Sequence, residues 1–238
     1  MITSPVFHNL PWQMFKSMLK NRRNHEIFLL PVFHFLNSGV FFQIIHVLRG
    51  LKMKKAFFLD RDGVIIEDGH YLSDSDQVVL CPGAAAAVNL MHEAGYLVIA
   101  VSNQSGIARG YFTQEQLASV ERRIDELLAK EGAKIDGWYY CIHHEKGIIP
   151  ELACDCDCRK PKPGMFLHAA KDFGIDLAQS FMIGDKVSDI QAAENANCRR
   201  SVLVLTGHGA EEQGRPGLGN ALIEEDILDA AKRLLRMI

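Results

Sequence analysis

Aspartate is missing from the first 59 residues of this 238-residue chain, and residues 27–48 contain no Lys, Arg, Asp or Glu. A basic excess is missing as well: the formal net charge is −3, which argues against a nucleic-acid partner, because such domains carry a clear basic surplus. There is no internal repeat and no low-complexity tract, so a solenoid and a disordered polar chain are both excluded. Cysteine is not spread in pairs along the chain. Four of the six (Cys141, Cys154, Cys156, Cys158) fall within eighteen positions, which is no disulfide framework and reads instead as a metal site in a reducing compartment. The cytoplasm is the expected location.

The uncharged stretch at 27–48 follows Lys16, Lys20, Arg22 and Arg23, the outline of a membrane anchor. It lacks the continuity of one, since Pro31, His34, Asn37, Gly39, Gln43 and His46 interrupt it, and each buried polar group costs free energy in hydrocarbon. It also lacks the small-residue cleavage site of a secretory signal. Residues 1–52 have a surplus of five positive charges and hold seven of the thirteen Phe; residues 53–238 carry 20 basic and 28 acidic groups. Two segments are therefore expected, an N-terminal extension at 1–52 and a working domain at 53–238. Three readings of the extension stand: a start placed upstream of a natural one at Met53, a membrane-associated segment, or an ordered accessory helix. Membrane contact is expected only if the extension is part of the natural protein and ordered.

Beyond Met53 apolar runs suited to buried parallel strands occur at 56–59, 97–101, 137–141, 181–183 and 201–205. Helical patterns lie between them. Pro82 and Gly95 bracket one, Thr113 with Gln116 forms a capping box before the next, Gly132 closes it, and Pro163 and Gly174 bracket a third. Asn220 is the expected cap of a last helix reaching Arg236. Strand–helix alternation predicts an α/β fold with a doubly wound parallel sheet.

Ligands of such sheets bind beyond the carboxyl ends of the strands, and the polar residues fall there. The first strand runs into Asp60-Arg61-Asp62-Gly63, the second into Ser102-Asn103-Gln104-Ser105-Gly106, and the fourth into Gly184-Asp185-Lys186 with Asp189 beyond. Acids crowded at strand ends repel one another unless a cation is bound. Carboxylates of Asp60 and Asp185, with a main-chain carbonyl near Asp62, suit Mg²⁺. Asp60 then reads as a nucleophile toward phosphate. Asp62, two residues on and on the same side of an extended chain, reads as its acid–base partner.

Taken in order, these three motifs and, as a fourth, a lysine between the last two (Lys160) resemble the haloacid dehalogenase superfamily over about residues 55–209. A second feature narrows the resemblance. Cys141-Ile142-His143-His144 is followed, after nine residues, by Cys154-Asp155-Cys156-Asp157-Cys158, which are thiolate and imidazole donors suited to tetrahedral Zn²⁺. The spacing alone leaves open whether Cys154 or His144 is among the four ligands. The run Cys156-Asp157-Cys158-Arg159-Lys160-Pro161 is similar to that of the heptose 1,7-bisphosphate and histidinol-phosphate phosphatase families, and Ser102 through Phe112 favours the heptose group.

The resemblance implies a Rossmann-like haloacid dehalogenase fold with a zinc-binding loop and no large cap domain. It implies Asp60 as nucleophile, Asp62 as acid–base, and Mg²⁺ on Asp60, Asp62 and Asp185. It implies substrate contacts from Asp68, Gly69, His70, Tyr71, Ser102, Asn103, Gln104, Ser105, Arg159, Lys160 and Lys186. Cys141, His143, Cys156 and Cys158 would hold zinc, in a loop that presents Arg159 and Lys160 to the phosphate. The implied reaction removes the C7 phosphate of a heptose bisphosphate during heptose biosynthesis for lipopolysaccharide or related glycoconjugates, in a monomeric enzyme acting on a small sugar phosphate. The alternatives are a histidinol-phosphate phosphatase and a zinc-stabilised binding protein without activity. His70 and His92 lack metal-like neighbours in the sequence, and His92 is expected on a helix surface.

Overall fold

A computed structural model of the protein describes residues 53–238. The readings of residues 1–52 lie outside them. Six parallel strands form one sheet: β1 Ala56–Leu59, β2 Leu97–Asn103, β3 Gly137–Cys141, β4 Phe181–Gly184, β5 Arg200–Val204 and β6 Leu222–Glu224. Their order is β3-β2-β1-β4-β5-β6. The chain works outward from β1 to β3, then returns to lay β4 against β1 before proceeding to β6. That reversal opens a crevice at the carboxyl ends of β1 and β4, the usual ligand position of an open α/β sheet.

Period-two alternation divides β1 between two cores. Phe57 and Leu59 face the layer that includes Ala84, Val88, Val120, Ile124, Leu128 and Leu234. Ala56 and Phe58 face the layer of Phe166, Ala169, Ala192 and Ala193. Helices α1 (Ala84–Glu93), α2 (Gln114–Lys130) and α6 (Ile227–Leu235) thus cover one face, and α3 (Gly164–Phe173) and α4 (Val187–Asn195) the other. Phe57, Phe58 and Phe181 are fully or almost fully buried, each worth about 1.5–3 kcal/mol relative to exposure. A short helix, α5 (Gly209–Glu212), follows β5.

Helix ends follow local chemistry. At α2 the Gln116 amide donates to Thr113 Oγ1 at 3.3 Å and the Thr113 amide to Gln116 Oε1 at 2.9 Å, the capping box expected from the sequence. Gly174 ends α3 at φ +69°. The last helix differs from expectation: Asp226, not Asn220, caps it, accepting from the amides of Leu228 (2.8 Å) and Asp229 (2.9 Å). Between the two positions lies β6, which the apolar pattern did not reveal. His92 also differs, being half-buried with Nε2 2.8 Å from Asp136 Oδ2. That same oxygen accepts from the Val98 amide at 2.9 Å, so the histidine helps dock α1 against the start of β2. Among the described residues no helix is long and apolar enough to cross a membrane.

Candidate active site

Asp60, Asp185 and Asp189 converge at the crevice. All three are buried, and one oxygen of each lies within 4.8 Å of the others. Lys160 reaches into the group from the loop before α3, with Nζ 3.0 Å from Asp60 Oδ1 and 2.7 Å from Asp189 Oδ1. The same ammonium donates to the Val101 carbonyl at 2.7 Å. Lys186 Nζ stands 3.3 Å from Asp185 Oδ2. Burial pushes the Asp60 carboxyl up, but Lys160, Lys186 and the Arg61 amide outweigh it and hold the group below its ordinary value. Asp185 goes the other way: burial, then the charges of Asp60 and Asp189, push it up to about 7. Two lysines therefore leave three carboxylates under-compensated. A hard divalent cation with oxygen ligands fits that imbalance.

Close backbone approach makes room for Asp185. A Cβ on Gly63 (φ +82°) or on Gly207 (φ +57°) would collide with its carboxylate, so glycine at both positions lets the β1 and β5 loops pack onto this acid. Asp185 Oδ2 also accepts the His208 amide at 2.9 Å, and Thr206 Oγ1 donates to the Gly63 carbonyl at 2.6 Å.

Asp62 sits apart from the triad. Its Oδ1 accepts from Arg61 Nη2 (2.7 Å) and Nε (3.0 Å), and its Oδ2 accepts from Gln104 Nε2 at 2.8 Å. Gln104 Nε2 also lies 2.9 Å from Ser102 Oγ. The three-carboxylate group thus contains Asp189 where the expected magnesium set had Asp62. Asp189 is the last acid of Gly184-Asp185-x-x-x-Asp189 and lies outside the set of site residues expected from the sequence.

A cavity of about 370 Å³ opens above these groups. Of the residues expected at the site, Asp60, Asp62, Asp68, His70, Tyr71, Ser102, Asn103, Gln104, Ser105, Arg159, Lys160 and Lys186 line it, whereas Gly69 and Asp185 do not. Arg61, Ser188, Asp189 and His208 also line it, outside the expected set. Arg159 Nη1 is buried without a hydrogen-bond partner, an unspent donor on the wall of a pocket lined by both acids and bases. His70 is not isolated, as its sequence neighbourhood suggested, because the fold sets His208 and Asp68 beside it.

Register connects this pocket to the cysteine cluster. Asn103 of β2 pairs with Cys141 of β3, and the Gln104 amide donates to the Cys141 carbonyl at 2.7 Å. Cys141 Sγ lies 3.5 Å from Cys156 Sγ, Cys156 Sγ 3.3 Å from Cys158 Sγ, and His143 Nδ1 3.4 Å from Cys158 Sγ. The four donor atoms fall within 4.8 Å of one another, and no cysteine is in a disulfide. Cys154 is exposed and outside the group. His144 turns to Arg109, with Nε2 2.8 Å from Arg109 Nη2. Burial pushes the Cys141 thiol up to about 11. Three sulfurs and one imidazole nitrogen with no fifth donor match a closed tetrahedral site for a borderline-soft metal. From this cluster the chain runs directly to Lys160, whose amide donates to Asn103 Oδ1 (3.0 Å) and whose carbonyl accepts from Asn103 Nδ2 (3.1 Å).

A parallel sheet in this order, with an aspartate pair after β1, Ser102 after β2, a buried lysine and paired acids after β4, is the layout of a haloacid-dehalogenase-type hydrolase. A HAD-hydrolase-like family model matches residues 157–230. The D-glycero-beta-D-manno-heptose-1,7-bisphosphate 7-phosphatase of Pasteurella multocida is 46% identical over 180 residues, covering 76% of this chain and 96% of the relative, and that of Vibrio cholerae is 44% identical over 184 residues, 77% and 98%. The chain belongs to this family of heptose-bisphosphate phosphatases within the haloacid dehalogenase superfamily. Among solved structures, D,D-heptose 1,7-bisphosphate phosphatase from B. bronchiseptica, complexed with magnesium and phosphate, superposes with a TM-score of 0.70 at 33% identity, covering 77% of this chain and 99% of that one.

Proposed function

We propose that this protein hydrolyses the C7 phosphate of D-glycero-D-manno-heptose 1,7-bisphosphate, through an aspartyl-phosphate on Asp60. The observation that carries the reading is the buried Asp60–Lys160 pair on the floor of the cavity, with two further carboxylates beside it. Close homology to enzymes named for this substrate supports the choice of sugar. Asp60 attacks phosphorus, the bond from phosphorus to the C7 oxygen breaks, and Asp62 delivers a proton to the departing oxygen. The Asp62 carboxylate then takes a proton from water as that water attacks the acyl phosphate, which releases inorganic phosphate and restores Asp60. Arg61 and Gln104 fix the direction of Asp62 throughout. Ser102, Arg159 and Lys160 hold phosphate oxygens, and Lys186 with the Asp68–Tyr71 turn contacts the sugar.

Mg²⁺ fits at Asp60 and Asp185, with Asp189 beside them; because the Asp62 carboxylate is engaged elsewhere, its main-chain carbonyl is the donor it has left to offer. Bound there, the ion lowers the repulsion between carboxylate and phosphate. Cys141, His143, Cys156 and Cys158 hold a structural zinc. The protein is proposed to act in the cytoplasm, as a monomer. The test compares phosphate release from both anomers of the heptose bisphosphate with release from histidinol phosphate, in Mg²⁺. Preference for histidinol phosphate would overturn the substrate, and no turnover of any ester would leave the inactive binding protein as the better reading.

A further inference from the structure

One cluster of metal-ligating side chains is used by neither the magnesium nor the zinc reading. Asp68, His70 and His208 each offer one ligand atom, the three atoms lie within 4.8 Å of one another, and all three residues line the cavity. They come from two separate segments, the turn after β1 and the loop after β5. His208 Nε2 is 2.8 Å from Asp68 Oδ2. The other carboxylate oxygen, Oδ1, accepts the His70 amide at 3.0 Å and closes the turn on itself. His70 and the next residue, Tyr71, both hold left-handed backbone, at φ +46° and +61°. Two consecutive non-glycine residues in that region are uncommon and costly, and such strain gathers at ligand clamps. Here it brings the His70 ring to the same place as the His208 ring, with centroids 6.1 Å apart.

We propose that Asp68, His70 and His208 form a second metal site on the wall of the substrate cavity, which takes Zn²⁺ or a similar borderline divalent ion and, when filled, obstructs substrate binding. Two imidazoles beside one carboxylate suit zinc, cobalt and nickel, whereas Mg²⁺ prefers oxygen ligands throughout. Three protein ligands leave a position for water, so the site binds more weakly than the closed Cys/His cluster. Lys186 is the nearest opposing charge, 3.9 Å from Asp68 Oδ2, but it stands closer to Asp185. An ion held here ties the turn at Asp68–Tyr71 to the loop at His208, both of which line the cavity that a sugar phosphate must occupy. Micromolar zinc then competes with substrate, while Mg²⁺ supports turnover at the carboxylates below. A plain ion pair between Asp68 and His208 accounts for two of the three groups, and sugar contact by the turn does not by itself require the His70 ring to converge on them.

Zinc content is measured first, on the full chain purified without chelator and then dialysed against micromolar ZnCl₂ in excess Mg²⁺. About two zinc ions per chain are expected for the wild type and about one for His70→Gln and for His208→Gln. Equal content in all three proteins overturns the site. Cobalt loading separates the two positions, since only the cysteine cluster gives thiolate-to-cobalt charge-transfer absorption; the second cobalt should add d–d bands without it. Zinc inhibition is then read at several substrate concentrations. It is expected to be competitive, and half-inhibition in either variant should need at least about tenfold more zinc. Inhibition unchanged in both variants and relieved by added Mg²⁺ would place the zinc on Asp60 and Asp185 and overturn the proposal. The zinc count does not depend on which phosphate ester the protein hydrolyses, so failure here is distinct from failure of the substrate reading.

Discussion

Asp60 and Lys160 are partners in a buried ion pair on the cavity wall, and they fail differently when changed. Asp60→Asn keeps the shape of the side chain and leaves Lys160 paired with Asp189 at 2.7 Å. Folding should be little affected, while turnover should fall by at least about 10³-fold because the nucleophile is gone. Asp62→Asn should cost about 10²–10⁴-fold, the usual span for a general acid–base. Phosphate-release kinetics check both, and an Asp60→Asn enzyme that still turns over with Mg²⁺ would remove Asp60 from the role of nucleophile. Lys160→Met is the opposite case. Its ammonium is almost fully buried and bonded to two carboxylates and the Val101 carbonyl. Removing one partner of a buried ion pair leaves uncompensated charge and costs about 3–5 kcal/mol. Urea unfolding in metal-free buffer should show a loss of this size. A variant as stable as the wild type would mean that the ammonium does not hold these acids in place.

Elements were legible in the sequence where their ends are set by neighbours in the chain. Thr113 and Gln116 are three residues apart, and their capping box can be read without any fold; Gly174 after Phe173 is equally local. The strand ends were legible for a related reason: parallel strands deliver their last residues to one side, so Asp60, Ser102 and Asp185 could be placed together from order alone. Contacts between distant segments were not. Gln104 reaches Asp62 across 42 positions and Lys160 reaches the Val101 carbonyl across 59, and no local pattern records either. Strand β6 was missed because it is three residues long and only partly buried, too short for an alternation to register. Without it the cap of α6 was placed at Asn220. The loop between β3 and α3 shows both sides of this division. Its donors were visible, and the family resemblance implied His143 over His144 and left Cys154 out, but spacing alone did not, because only the fold sets the four donor atoms within 4.8 Å of one another. Cys156→Ser takes one donor from that cluster. Amide exchange should then quicken through residues 142–160 while β1, β2 and β4 remain protected, because the two cores are built mainly from strands and helices outside the loop, which adds only Cys156 and Cys158 to the edge of one of them. Activity should fall with it, since Asn103 holds the backbone of Lys160 at the far end of the same loop. Unchanged exchange in the loop would show that no metal orders it.

At the scale of the whole molecule the question is how much of the chain the reaction requires. Residues 53–238 hold both hydrophobic layers, the four motifs, the cavity and the cysteine cluster. The Pasteurella relative is matched over 96% of its length by 180 residues, a length that 53–238 can supply unaided. A segment of that size buries enough surface to fold independently. Composition points the same way, because the basic, Phe-rich residues 1–52 and the acidic remainder have nothing in common beyond the join at Met53. A protein beginning at Met53 should therefore unfold in one cooperative transition and keep the kcat and KM of the full chain for the bisphosphate. Its urea midpoint and steady-state kinetics, measured beside those of the full chain, decide the matter. A raised KM with unchanged unfolding would mean that residues 1–52 reach the substrate, and a lower midpoint that they contribute to the fold. If both quantities stay the same, the work of the extension lies outside the reaction, and vesicle co-sedimentation of the full chain, with the Met53 protein as control, then tests the remaining reading that it binds a membrane surface.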